Sequence, residues 1–110
     1  MRAIMRVPFI KMHGLGNDFV VLDKREQNLP DLTQTTASAL ADRNTGIGCD
    51  QLVLLEHSTQ ADFRMRIFNA DGSEVGACGN ATRAVTLLHG KEARIETQGG
   101  ILVASPTDDG

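Results

Sequence analysis

The run Asp62-Phe-Arg-Met-Arg-Ile-Phe-Asn-Ala-Asp-Gly72 limits the fold of this chain more than any other stretch. Phe63, Met65 and Ile67 alternate with Arg64 and Arg66, the period of two that belongs to a strand with one buried and one solvent face. Asn69-Ala-Asp-Gly72 then gives a tight reversal, since Asp-Gly is a strong hairpin signal, and Ser73-Glu-Val75 pairs back along the strand just completed. A sheet with one apolar face needs a cover. Ala81, Ala84, Val85 and Leu88 supply one, spaced i, i+3, i+4 and i+7 as on a helix face and followed by Gly90, a good helix-terminating residue. The small Ala81 and Ala84 would let sheet backbone approach closely, so the helix can be an interior one with strands curled around it.

Between hairpin and helix lies Val75-Gly-Ala-Cys-Gly-Asn80, which puts Cys78 where extended chain turns into helix and reads Asn80 as an N-cap. A helix N-terminus has free N–H groups and a partial positive charge, so a thiol beside it is easier to ionise and a carboxylate can be held there. The same position also suits a small buried filler, because free cysteine is among the most buried residue types. The local sequence leaves both roles open.

The remaining chain repeats the theme of short strands and glycine turns. Residues 7–12 are expected as a first strand, with Pro8 at its edge or beginning, His13-Gly-Leu-Gly-Asn-Asp18 as a turn, and Phe19-Val-Val-Leu22 as the returning strand, leaving Asn17 at the hairpin tip or just inside it. A polar loop over 24–32 leads to a helix capped by Thr33 or Thr35 and running to about Arg43, with Ala37, Leu40 and Ala41 buried. Gly46-Ile-Gly-Cys-Asp-Gln51 forms a second glycine-bearing turn into the buried strand Gln51-Leu-Val-Leu-Leu55. Gln51 thus stands at a loop-to-strand junction, where a ligand-contacting amide and a simple turn cap are both common. Lys91–Thr97 and Ile101–Ala104 are two further strands joined by Gln98-Gly-Gly100, and 106–110 is a polar end. No repeat or linker divides the 110 residues, which read as a single domain.

Composition removes several classes of function. Apolar residues at 41% and charged residues at 23% describe a globular chain. A net charge of −3, with no Trp, no Tyr and four Phe, excludes a nucleic-acid surface. No apolar run approaches the roughly 20 residues of a membrane span, and the N-terminus lacks a signal-peptide core, so the cytoplasm is the default expectation. Two cysteines without an export signal are expected as free thiols. Gly14-Leu-Gly16 runs into a strand and lacks the third glycine of a dinucleotide fingerprint, and no His or carboxylate stands near His13 at a metal-ligand spacing.

Four segments in order, Lys11-Met-His-Gly-Leu-Gly-Asn-Asp-Phe19, Gly46-Ile-Gly-Cys-Asp-Gln51, Arg66-Ile-Phe-Asn-Ala-Asp-Gly-Ser-Glu74 and Cys78-Gly-Asn80, resemble the N-terminal half of the diaminopimelate epimerases. The resemblance implies an α+β domain in which a mixed, mostly antiparallel β-sheet wraps a central helix. It also implies a second, pseudo-symmetric domain, the family's C-terminal half, with the active site in the cleft between them. The implied reaction is the cofactor-independent interconversion of LL- and meso-diaminopimelate, in lysine and peptidoglycan biosynthesis, with no PLP and no metal. An α-proton is so weakly acidic that its removal calls for a base on one face, an acid on the other, and stabilisation of the developing carbanion. By resemblance Cys78 is one of the two bases, Gly79 and Asn80 hold the α-carboxylate, and Asn17, Gln51 and Asn69 are substrate-contacting amides. Cys49 falls at a motif position the family does not use as a base, and Arg64 and Arg66 are left as solvent-facing strand residues.

The chain departs from the family where Cys-Gly-Asn-Gly-Ala-Arg-Cys is common, reading Cys78-Gly-Asn-Ala-Thr-Arg-Ala84 instead, and Gly76 replaces a more usual acidic residue. The partner cysteine of the second half has no counterpart. The isolated chain is therefore expected to be inactive, with open strand edges that favour a homodimer or aggregation. Two other readings stand beside this one: a non-catalytic amino-acid-binding or interaction module of the same fold, and an isomerase acting on another substrate.

Overall fold

The computed structural model describes residues 9–14, 16–25, 32–76 and 78–106. The expected strand start at residues 7 and 8, most of the 24–32 loop and the last four residues lie outside them. The chain order is β1 (Ile10–Gly14), β2 (Asn17–Asp23), α1 (Gln34–Ala41), β3 (Gln51–Glu56), β4 (Phe63–Asn69), β5 (Glu74–Val75), α2 (Gly79–His89), β6 (Ala93–Thr97) and β7 (Gly100–Ala104).

The strands form one seven-stranded sheet in the order β1-β2-β3-β4-β6-β7, with β5 paired to β4 off this path. Neighbours are antiparallel except at β2–β3 and β4–β6, which are parallel. The crossovers explain these two exceptions: α1 is threaded between β2 and β3, and α2 between β4 and β6, which lets the chain return in the same direction. The first hairpin is tighter than its composition suggests, because pairing continues through His13↔Asp18 and Gly14↔Asn17. Glycine and asparagine here extend the ladder instead of ending it.

Strand alternation divides the interior into two cores. Phe19, Val21, Val53, Leu55, Phe63, Met65, Ile67 and Ile95 face α2, where Ala81, Ala84 and Val85 meet them. Val20, Leu22, Leu52, Leu54 and Phe68 face the other way, onto Ala37 and Ala41 of α1 and onto Cys49. Helix α2 touches β1, β2 and β7. Because β1 and β7 are opposite ends of the strand order, the sheet must curl around α2, as the close-packing alanines foreshadow.

Local chemistry sets the helix ends. Thr33 caps α1, its hydroxyl accepting from the Thr36 N–H at 3.1 Å, and the helix stops at Ala41, two residues before the expected Arg43. Asp42 ends it by taking the N–H groups of Asn44 and Thr45 at 2.7 and 3.1 Å, a local turn that competes with another helical step. Gly90 closes α2 in the left-handed region with φ of 82°, as its sequence position requires. At the β4–β5 turn, Gly72 has φ of +87° and a Cβ there would lie 2.0 Å from the Gln34 carbonyl oxygen, so the turn seats directly on the start of α1. Among the described residues no helix is long and apolar enough to cross a membrane.

Candidate active site

The parallel and antiparallel registers align Phe19, Gln51 and Asn69 in one row across β2, β3 and β4. All three point to the α2 face by alternation, and so does Asn17, two residues before Phe19. Phe19 begins the core, while Gln51 and Asn69 begin their strands' polar ends. The α2 core therefore finishes in a rim of carboxamides, and the N-terminus of α2 enters at that rim.

Cys78 occupies the N-cap of α2 with extended backbone, φ −150° and ψ 119°, which corrects the expectation of Asn80 as the cap. The difference has a simple cause: Cys78 O already accepts the Thr82 N–H at 2.9 Å, so the first turn closes one residue pair earlier. The Cys78 side chain makes no cap bond and points elsewhere. Its Sγ–H donates to Gln51 Oε1 at 3.3 Å, and Gln51 Nε2 donates to Asn69 Oδ1 at 3.2 Å. The first N–H groups of α2 are left without intrahelical acceptors, and no acidic side chain lies in the first turn. Gly79 has open space where a Cβ would be, so backbone is exposed beside the thiol.

The structure thus brings Cys78, Gln51 and Asn69 into one hydrogen-bonded set, with Gly79 and Asn80 next to it on the helix and Asn17 on the same sheet face. Both cysteines are free. Cys49 is buried in the α1 core, and burial pushes its thiol above the ordinary range. Among the described residues no group of three or more His, Cys, Asp or Glu side chains could hold a metal ion.

On the opposite face, ion pairs fix the loop that delivers Gln51. Arg43 grips the buried Asp18 carboxylate through two bonds of 3.0 and 2.9 Å and reaches Asp50 at 3.2 Å. Asp18 and Asp50 are also tied reciprocally, the N–H of each donating to the carboxylate of the other at 2.9 and 2.7 Å. The Arg43 guanidinium holds the Asp18 carboxyl well below the usual carboxylate range, despite the opposing effect of burial. These two aspartates are the chain neighbours of Asn17 and Gln51. Sequence reading missed this clamp because Asp18 lies 25 residues from Arg43 and 32 from Asp50 in the chain. Arg66, expected to face solvent, is half-buried and closes bidentately on Glu74 at 3.0 and 2.8 Å while its guanidinium stacks over Phe68.

Solved structures with this arrangement define the fold. A PhzF-family phenazine biosynthesis protein of Bacillus anthracis matches with a TM-score of 0.62 at 23% identity, covering 90% of this chain and 34% of that one. One from Enterococcus faecalis matches at 0.63 and 20%, over 86% and 35%. At such identities the likeness is of fold alone. The diaminopimelate epimerase family model matches residues 9–110, and the chain belongs to that family. The diaminopimelate epimerase of Erythrobacter litoralis is 66% identical over 106 residues, 96% of this chain and 39% of that protein. That of Rhizorhabdus wittichii is 64% identical over 104 residues, 94% and 38%. The chain therefore spans about two fifths of the length of these relatives.

Proposed function

We propose that this chain is the Cys78-bearing domain of a cofactor-independent diaminopimelate epimerase, working in the cytoplasm on LL- and meso-diaminopimelate. Cys78 exchanges the α-proton on one face of the substrate carbon. The N–H groups at Gly79 and Asn80 take the α-carboxylate at the helix N-terminus, where the charge that develops as the proton leaves is stabilised. Asn17, Gln51 and Asn69 present amides to the remaining polar groups. The opposite face is served by a second cysteine in a second domain, from the part of the relatives' chain outside the matched region.

One observation carries this reading: the thiol of Cys78 lies at an uncapped helix N-terminus within hydrogen-bond reach of Gln51, which in turn holds Asn69. A buried filler would not need an amide pair around it. Family membership adds the substrate. The chain should bind meso-diaminopimelate weakly or not at all by itself in calorimetry, and should gain binding and α-proton exchange when the second domain of a close relative is supplied. Saturable, tight binding by the chain alone, with no exchange on reconstitution, would identify an amino-acid-binding module instead.

The apolar edge strand β7, with Ile101, Leu102 and Val103 all exposed, and Leu87 and Leu88 exposed on α2, fit a chain that associates with another domain or with a second copy. Sedimentation should show self-association of the isolated chain that is lost on reconstitution.

A further inference from the structure

We propose that Asp71 and Ser73 are positioning residues that decide which end of the Gln51 side-chain amide faces Cys78. Both belong to the β4–β5 turn, where their residue types suit a hairpin and nothing more. The hydrogen bonds continue past the turn, however, in one unbroken series. The Ser73 N–H donates to Asp71 Oδ1 at 2.8 Å and its hydroxyl donates to the same oxygen. Asn69 Nδ2 donates to Ser73 Oγ at 3.2 Å, Gln51 Nε2 to Asn69 Oδ1 at 3.2 Å, and Cys78 Sγ to Gln51 Oε1 at 3.3 Å.

The polarity of this series is set from its surface end. An ionised carboxylate only accepts, so the Ser73 hydroxyl proton is committed to Asp71 and its oxygen is left to accept. That oxygen selects the NH2 of Asn69, which turns the Asn69 carbonyl towards Gln51. The Asn69 carbonyl in turn selects the NH2 of Gln51, which leaves the Gln51 carbonyl for the thiol. Were Asn69 turned over, Gln51 would have to turn with it and present NH2 to the sulfur. Asp71 is held ionised by these same two bonds, the Ser73 hydroxyl contributing first and its N–H second.

The chemical consequence rests on the reading of Cys78 as the proton-transferring group. A carbonyl facing Sγ accepts the thiol's hydrogen bond, whereas an NH2 there would donate to sulfur, and the partner that sulfur meets bears on its attack on alkylating agents. The pair Asp71–Ser73 thus sets, from across the turn, which end of the Gln51 amide the thiol meets.

The test uses the chain as it is, with iodoacetamide as probe and mass spectrometry to separate modification at Cys78 from that at Cys49. Ser73→Ala leaves the turn but removes the oxygen that orients Asn69. It should speed Cys78 alkylation at neutral pH by about fivefold, the factor one ordinary hydrogen bond is worth, and shift the side-chain NH2 resonances of both Gln51 and Asn69. Ser73→Thr should restore the original rate and resonances. Asp71→Asn should move the rate in the same direction, and combining it with Ser73→Ala should add nothing further. If Ser73→Ala disturbs the backbone spectrum, Asp71→Asn and Ser73→Thr carry the test. An unchanged rate in folded Ser73→Ala, additive effects, or no rescue by threonine would overturn the proposal. None of these readouts uses diaminopimelate, so the proposal can fail while the epimerase reading stands, and the reverse.

Discussion

The two faces of the sheet are built alike and end differently at the start of β3. On both, alternate strand residues pack against alanines of one helix. At the α1 face the row ends in Asp18, Asp50 and Arg43, a charged clamp whose groups satisfy one another. At the α2 face it ends in Gln51, Asn69 and Cys78, two carboxamides and a thiol beside a helix terminus that still has N–H groups to give. Since Asp50 and Gln51 are successive residues, one loop serves both ends. The clamp spends its charges on holding the chain, and the helix terminus beside the carboxamide rim keeps unused hydrogen-bonding capacity.

The cysteines give the widest split between the faces. Cys49 is only 2% exposed, and it should be alkylated only when the domain opens, so Cys78 should react about a hundredfold faster or more in the native chain. Equal rates would erase the distinction. Next in size is packing: Ile67→Ala on the α2 face should cost about 2–5 kcal/mol in urea unfolding, and Leu54→Ala on the α1 face should fall in the same range. A large imbalance would mean that one face contributes much less to the fold. Smaller is the clamp itself, where Asp18→Ala, which removes three bonds to one carboxylate, should cost about 1.5–3 kcal/mol, the range for hydrogen bonding to a charged group. It should also broaden the side-chain resonances of Gln51 and Asn17 across the sheet.

The smallest effect concerns Arg66 and Glu74, which tie β4 to β5. The Arg66 guanidinium lowers the folded-state pKa of Glu74 below its unfolded value. Its stabilisation is therefore fully present above the unfolded carboxylate range and fades as pH falls through the folded value. The parent and Glu74→Gln should differ by roughly 1 kcal/mol at neutral pH and converge in acid, as followed by urea titrations across pH. A gap that widened in acid would have the wrong sign.

Local chemistry carried far in this chain. The alternation at 63–69, the Asp71-Gly72 turn, a threonine cap at Thr33 or Thr35, and Ala81, Ala84 and Val85 on the buried face of α2 with Gly90 behind them were legible, because each depends on neighbours within one or two turns of chain, whereas Leu88, expected on the same stripe, is exposed. Cys78, Gln51 and Asn69 were singled out for the site, but their mutual bonds could not be read, since these need the β2–β3–β4 register. The charged residues were least legible. Nothing local to Asp18, Arg43 or Arg66 tells which partner the topology will bring, and alternation alone sent Arg66 to solvent when Glu74 was waiting one strand away.

The most direct measurement is solvent deuterium incorporation at the α-carbon of diaminopimelate, by the chain reconstituted with the second domain of a close relative. It would compare Cys78→Ala with Cys49→Ala. Loss of a positioned proton-transfer group should slow exchange by about 10²–10⁴-fold in Cys78→Ala, while Cys49→Ala stays within a small factor of the parent. Exchange that survives in Cys78→Ala, or that fails only in Cys49→Ala, would contradict the assignment of the thiol at the α2 terminus.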